Sequence, residues 1–205
     1  MFEVELRGNV PGSIDLMASK FKSIGAKFVE RRKRFSMIYF KKSFGERGIN
    51  DSLDLRLRVS NGKSEIVLKY GKPSAFDNRL EISLPINTKN FGDAVEILKL
   101  LGWYKGVITV TYSYKFIYKG IEFVFVDAGL RNEAYFEAES LSKNRQNIYK
   151  KRVYIEKVCS QVGFSAFDEK GYKNLLKRIN TLPGRKFDLN KQSFSSIRRK
   201  FINYF

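Results

Sequence analysis

From Phe2 to Arg7 the chain alternates apolar and charged residues one for one, with Phe2, Val4 and Leu6 against Glu3, Glu5 and Arg7. A period of two belongs to a β-strand, so these charges share one face and the apolar residues the other. The pattern returns at Leu53 to Val59, where Asp54, Arg56 and Arg58 oppose Leu53, Leu55 and Leu57. It returns again in Arg79, Glu81 and Ser83 opposite Leu80, Ile82 and Leu84, and in Glu137 and Glu139. For any one strand, such as Glu3 and Glu5 alone, a solvated outer face is the simpler explanation. Repetition favours a sheet that curls into a barrel and turns its charged face inward, where carboxylates hold hard cations and Arg or Lys holds phosphate oxygens. An uncompensated buried charge is costly, so metal, phosphate and side chains would have to compensate one another there.

Between these strands the punctuation is regular. Pro11 and Ser13 introduce a helical run through Ile14, Leu16, Met17, Phe21 and Ile24, closed by Gly25. Ala26 to Glu30 and Phe35 to Phe40 read as two strands around the basic run Arg31 to Arg34, followed by a polar loop through Gly45 and Gly48. Asn61-Gly62 signals a hairpin whose returning strand is Ser64 to Lys69. A second amphipathic helix spans Phe91 to Leu101. Three more strands follow, Val107 to Tyr118, Ile121 to Asp127 and Glu133 to Glu139, and then helices over Asn147 to Val162 and Glu169 to Ile179. The expectation is an α+β chain with about eight strands.

Composition removes several chemistries. With no histidine and a single cysteine, Cys159, the chain holds no Ser-His-Asp triad, no His-ligated metal, no intrachain disulfide and no Cys-rich zinc site. Any metal must sit on oxygen ligands, which favours Mg²⁺, Mn²⁺ or Ca²⁺ over zinc. Cys159 reads as a small core residue, and Trp103 as packing. No apolar run is long enough for a membrane span or a secretory signal, so a cytoplasmic protein is expected. The formal charge of +18 points to polyanionic partners. Residues 1–140 carry 23 basic and 17 acidic side chains, residues 141–205 carry 16 and 4, so the excess is at the end of the chain.

The order Glu3-Val-Glu5-Leu-Arg7, then Leu55-Arg56-Leu57-Arg58, then Leu68-Lys69-Tyr-Gly71-Lys72-Pro73, then Arg79-Leu-Glu81 resembles the CYTH superfamily of triphosphate tunnel metalloenzymes. That group includes class IV adenylyl cyclases and thiamine triphosphatases. Ile24-Gly25-Ala26 before Phe28-Val29 resembles its helix-to-strand junction, and Val126-Asp127 with Phe136-Glu137-Ala138-Glu139 its closing acidic motif. The likeness covers roughly residues 1–140 and continues through Gly163-Phe164 and Tyr172-x-x-Leu175-Leu176, as in the two-helix end of many members.

The resemblance implies an eight-stranded antiparallel β-barrel, a triphosphate tunnel with flanking helices. By it Glu3, Glu5, Asp127, Glu137 and Glu139 would bind Mg²⁺ or Mn²⁺, with Glu5, Glu137 and Glu139 catalytic. Arg7, Arg56, Arg58, Lys69, Arg79 and Lys115 would hold the phosphates. The implied activity is metal-dependent hydrolysis of an organic or inorganic triphosphate. The alternatives are a class IV type adenylyl cyclase making cyclic AMP and pyrophosphate, and a weakly catalytic module that binds triphosphate or an RNA 5′ end. Thr111 and Ser113, standing where the family carries a Lys-x-Arg pair, favour the last, while the retained acidic motifs at both ends favour the enzyme; the other departures are Arg7 where the family has Lys, a change that keeps the charge, Ser83 where Glu is common and Met37 where Asp is common.

The family pattern is complete before Pro183, so residues 1–179 are expected as the tunnel domain and 180–205 as a basic extension dispensable for its chemistry. From Ser193 to Phe205 the chain interleaves Phe194, Ile197, Phe201 and Ile202 with Arg198, Arg199 and Lys200, a short basic amphipathic helix. It either docks on the domain or meets a polyanion such as RNA, or an anionic membrane surface.

Overall fold

Asn61 and Gly62 adopt positive φ angles of 46° and 77°, the left-handed pair of a two-residue hairpin, and register the strands on either side. The computed structural model describes residues 2–40, 53–71, 74, 76–77, 79–130, 134–142 and 144–205, without the side chains of residues 2, 3, 76, 77 and 145. The loop through Gly45 and Gly48, Lys72-Pro73 and Glu133 lie outside the described residues. In chain order the elements are β1 (Phe2–Asn9), α1 (Ile14–Ser23), β2 (Lys27–Phe40), β3 (Leu53–Ser60), β4 (Lys63–Tyr70), β5 (Phe76–Asp77) and β6 (Leu80–Ile86). Then come α2 (Phe91–Leu100), β7 (Lys105–Tyr118), β8 (Ile121–Asp127), β9 (Ala134–Ser142), α3 (Ile148–Gln161), α4 (Glu169–Asn180), β10 (Lys186–Asp188) and α5 (Phe194–Lys200). The fold is α+β, with the eight long antiparallel strands of the expected barrel class and flanking helices.

The chain divides into two compact units. The first comprises Met1–Arg32, Ser74–Leu80 and Thr111–Ile179. Its strands run in the order β7-β8-β9-β1, with β5 on the other edge of β1. Val4 and Leu6 of β1, Phe123 and Phe125 of β8 and Phe136 and Ala138 of β9 form one apolar face, covered by Phe21 of α1 and Ile155, Val158 and Cys159 of α3. Ser13 caps α1, its side chain accepting the Leu16 N–H, as the sequence signal implied.

The second unit comprises Lys33–Pro73, Glu81–Val110 and Asn180–Phe205, with strand order β10-β7-β2-β3-β4-β6. Its core joins Phe35, Met37 and Tyr39 of β2, Leu55, Leu57 and Val59 of β3, and Phe91, Val95 and Leu98 of α2. Residues 180–205 belong to this core instead of extending from it. Phe187, Leu189 and Ile197 are buried, and Phe205 packs at 5.0 Å from Phe35 and 5.3 Å from Phe91. Phe194, Ile197 and Phe201 of the expected basic helix are therefore turned into the unit, while Ile202, Arg198, Arg199 and Lys200 stay exposed. Truncation after Asn180 would strip part of the core.

One strand replaces the two expected around Arg31 to Arg34. β2 runs unbroken for 14 residues because the basic run contains neither Gly nor Pro, and its alternate residues find partners, Arg32 on Glu30 and Arg34 on Ser60 at 3.0 Å. β10, only three residues long, carries too little periodicity to be read from sequence.

Cys159 is 1% exposed in the apolar face of the first unit, and burial, with the nearby Glu156, pushes its thiol up to about 12. A thiol-specific disulfide reagent at pH 8 is expected to leave the native protein unlabelled and to titrate one thiol once the chain is unfolded in urea.

Candidate functional site

In the first unit β1 is buried on both faces. Val4 and Leu6 are 0% and 3% exposed on one side, Glu5 and Arg7 1% and 7% on the other, which rules out the reading of Glu5 as an outer solvated residue. The strand register sets these charges in rows across the sheet. One row runs Glu122 of β8, Glu139 of β9 and Glu5 of β1. The next runs Lys115 of β7, Val124, Glu137 and Arg7. The third runs Ser113, Val126, Tyr135 and Asn9. Acidic and basic rows thus lie side by side.

Arg7 joins them. Its Nη2 donates to Glu5 Oε2 at 2.5 Å, its Nε to Glu137 Oε1 at 3.3 Å, and its Nη1 to the Ser74 carbonyl at 3.4 Å. The guanidinium carbon lies 5.2 Å from the centre of the Tyr172 ring of α4, a cation–π contact. Burial, followed by the charge of Glu137, pushes the Tyr135 phenol well above the usual tyrosine range, so it stays a neutral donor beside these carboxylates. Lys115 Nζ pairs with Glu122 Oε1 at 2.6 Å. Arg79 is 5% exposed in the same unit. Glu3 stands opposite Leu141 in register, and its side chain lies outside what is described.

Asp127 falls elsewhere. The β8 ladder places it opposite Ala134 and Tyr112, on the face of the apolar core residues, whereas Glu137 and Glu139 share the other face. Its Oδ1 accepts the Gly129 N–H at 2.7 Å and closes the turn after β8. The five carboxylates expected together are thus not brought to one face: a strand's period of two sends an odd step to the other side. Among the described residues no group of three or more acidic, His or Cys side chains is gathered in the manner of a metal centre.

The second unit has its own charged face. Arg58 Nε pairs with Glu65 Oε1 at 2.5 Å and its Nη2 with Glu81 Oε1 at 3.3 Å, while Lys69 Nζ, in a side chain 7% exposed, reaches Glu81 Oε2 at 2.7 Å. Arg56 forks onto Asp54 with Nε to Oδ1 at 2.7 Å. Ser83, standing where the resemblance led one to look for Glu, donates its hydroxyl to Glu65. The expected phosphate residues Arg56, Arg58 and Lys69 are therefore grouped here, each resting on a carboxylate.

Glu122 and Glu65 were not legible as members of these faces. Glu122 sits in the apolar run Ile121 to Val126, and Glu65 in a strand with no second acid. Their opposition to Glu139 and Arg58 exists only in the register.

No protein-family model matches the chain, and no curated protein matches it by sequence. Solved structures do resemble it. The protein PH1819 of Pyrococcus horikoshii OT3 is 24% identical, over 86% of this chain and 98% of that one, at a TM-score of 0.69. A candidate adenylate cyclase of Vibrio parahaemolyticus is 17% identical over the same shares, 86% and 98%, at 0.67. A candidate adenylyl cyclase of Hippeastrum, HpAC1, described as having a dominant triphosphatase activity, is 13% identical over 88% and 98%, at 0.56. At these identities the likeness is one of fold, and it is the fold expected from the resemblance to the CYTH superfamily. Among the described residues no helix is long and apolar enough to cross a membrane.

The pairing of Glu65 has a measurable consequence. Burial alone would raise its carboxyl, but the hydrogen bonds from Arg58 and Ser83 and the charges of Arg58 and Arg34 outweigh it and hold the group below the usual glutamate value of 4.5. A lowered carboxyl contributes stability that is complete above the unfolded value and lost as pH falls through the folded one. Urea unfolding of the wild type should therefore weaken below about pH 4.5. Glu65→Gln should be less stable at pH 7, by about 1–3 kcal/mol, and lose less on acidification.

Proposed function

We propose that this chain is a divalent-metal-dependent phosphohydrolase acting on a triphosphate. The observation that carries the reading is the burial of both signs of charge on one face of the first unit's sheet, where Glu5 and Arg7 are 1% and 7% exposed. A protein gains little stability from buried ion pairs that apolar side chains could replace, so their retention points to a ligand of mixed charge. A metal triphosphate is such a ligand. The resemblance to the triphosphate tunnel enzymes and the triphosphatase activity described for HpAC1 support the same class.

The donor chemistry suits a hard cation, since Glu5, Glu137 and Glu139 offer only oxygen and stand on adjacent strands, though they are not gathered as a metal centre while Glu5 and Glu137 are held by Arg7. Glu5, Glu137 and Glu139, with Glu3, are the residues proposed to hold Mg²⁺ or Mn²⁺; Asp127 would require a rearrangement of its turn. When bound, the metal would neutralise phosphate oxygens and acidify a water. The chain's own part is an exchange of partners. Arg7 leaves Glu5 and Glu137 for phosphate oxygens, Lys115 leaves Glu122, and Arg58 and Lys69 leave Glu65 and Glu81, so each cation trades one charge-assisted bond for another. No side chain has to act as a covalent nucleophile.

Thr111 and Ser113, where a basic pair is expected, favour a second reading in which the chain binds triphosphate and turns it over slowly. Steady-state hydrolysis with product identification separates these readings. Chelation of divalent metal is expected to stop turnover and Mg²⁺ or Mn²⁺ to restore it. Glu137→Gln should lower the rate about a hundredfold or more. Arg58→Ala should weaken triphosphate binding about tenfold or more, and diphosphate binding less. Orthophosphate or pyrophosphate is the expected product. Cyclic nucleotide would assign a cyclase, and tight triphosphate binding without turnover the binding module.

A further inference from the structure

Neither charged face accounts for the excess of cations at the end of the chain. Residues 141–205 hold 16 basic and 4 acidic side chains, and the fold distributes the exposed ones over α3, α4 and α5. In the first unit α3 carries Lys150, Lys151, Arg152 and Lys157 against one acid, Glu156, which Arg152 already holds at 2.9 Å. Lys151 donates to the Ser140 hydroxyl at 3.0 Å. Lys150 and Lys157 are exposed, and among the described residues no carboxylate pairs with either.

The same face carries rings. One side of α3 is spent on the core, where Ile155, Val158 and Cys159 are buried. Away from it Tyr149, Val153 and Lys157 follow one another at steps of four, with Lys150 and Tyr154 beside them, so all five share the outward side. Tyr149 is 73% exposed and Tyr154 47%. The Tyr154 hydroxyl donates to the Lys119 carbonyl at 3.0 Å, which fixes the ring against the turn between β7 and β8 and leaves part of it open. Lys119 is itself exposed and adds a third cation at this place. A solvated face has no need of rings, whereas a polyanion that alternates charge with flat apolar groups meets both features. An anionic bilayer fits less well, because an interfacial helix buries a broad apolar stripe and α3 offers outside only one aliphatic side chain, Val153. α5 is the contrast within the chain: Arg198, Arg199 and Lys200 are exposed, but Phe194 is buried and Phe201 half-buried, so it presents charge without rings.

We propose that the outer face of α3 binds single-stranded nucleic acid, with Tyr149 and Tyr154 stacking on bases and Lys119, Lys150 and Lys157 meeting the phosphates. The two tyrosines stand about 7.5 Å apart along the helix axis, five residues at about 1.5 Å each, so each ring takes a different base. Stacking and phosphate contacts do not read base identity, and binding tolerates any sequence. The surface needs no 5′ phosphate and stands apart from the proposed triphosphate chemistry.

The test is fluorescence anisotropy of the full chain with a labelled oligouridylate of about 12 nucleotides ending in a 5′ hydroxyl, so that no triphosphate is present. A Kd on the order of 10 μM is expected near physiological salt, with a log-log salt slope of about −2, from about −0.7 for each of three phosphate contacts. Tyr149→Ala should weaken binding about fivefold or more at an unchanged melting temperature, because the ring it removes is exposed. Lys150→Gln with Lys157→Gln should bring the slope to about −0.7. Arg198→Gln, Arg199→Gln and Lys200→Gln together remove more charge from α5 and should leave affinity and slope nearly unchanged. No binding of the oligouridylate, full affinity in Tyr149→Ala, or a loss from the α5 variant as large as from the α3 lysines would overturn the surface. So would tighter binding of an RNA duplex of the same length, which would show charge attraction without stacking, or binding confined to vesicles of anionic phospholipid.

Discussion

The first unit depends on a guanidinium almost wholly withdrawn from water. Arg7 is 7% exposed on a strand whose other face is already filled by Val4 and Leu6, so its charge must be met inside the protein. Glu5 and Glu137 meet it, and that fixes more than an ion pair. A shift of one residue between β1 and β9 would carry Glu137 to the apolar face and Ala138 toward Arg7, leaving both charges uncompensated. The backbone is tied at the same point: the Phe167 N–H donates to the Arg7 carbonyl at 2.8 Å. Beside it, a Cβ on Gly8 would meet the Ser165 carbonyl oxygen at 2.0 Å, so only glycine admits this approach. Strand register, the loop before α4 and the Tyr172 ring above the guanidinium all follow from where Arg7 must be.

The second unit solves the same problem with different residues. Arg58 and Lys69 share Glu81, Arg58 also takes Glu65, and Glu65 takes Ser83, a chain of charge-assisted bonds along one face. Its opposite face is closed by aromatic packing supplied largely from the end of the chain, where Phe187 stands 5.2 Å from Tyr39 and Phe194 5.4 Å from Phe91. A Cβ at Gly106 would meet the Ile38 carbonyl at 1.9 Å and the Phe187 ring at 2.8 Å, so β7, β2 and β10 meet where only glycine fits. The basic side chains of the terminal segment remain outside because the apolar ones between them are needed inside.

For function, the common property of both faces is reversibility. Arg7 and Lys115 on one face, and Arg56, Arg58 and Lys69 on the other, each rest on a carboxylate, and under the proposed function each pair would open to phosphate and metal. Stability alone gives little reason to keep such pairs, since apolar replacements of similar volume are commonly neutral or better.

Local periodicity determined a good deal by itself. One-for-one alternation made β1, β3, β6 and β9 strands with a charged face, Ser13 and Gly25 bounded α1, Asn61-Gly62 set the hairpin, and the order of charged motifs identified the fold. These are signals between neighbours, carried by a handful of adjacent side chains. Tertiary structure decided what faces what. It set Glu122 in line with Glu139 and Glu5, gave Arg58 to Glu65, turned Asp127 to the other face, ran β2 straight through its basic run and drew residues 180–205 into a core. None of these could be read from spacing, because register and burial depend on residues far apart in the chain: a strand's alternation says which side chains share a face, and only its partner strands say which charges meet there.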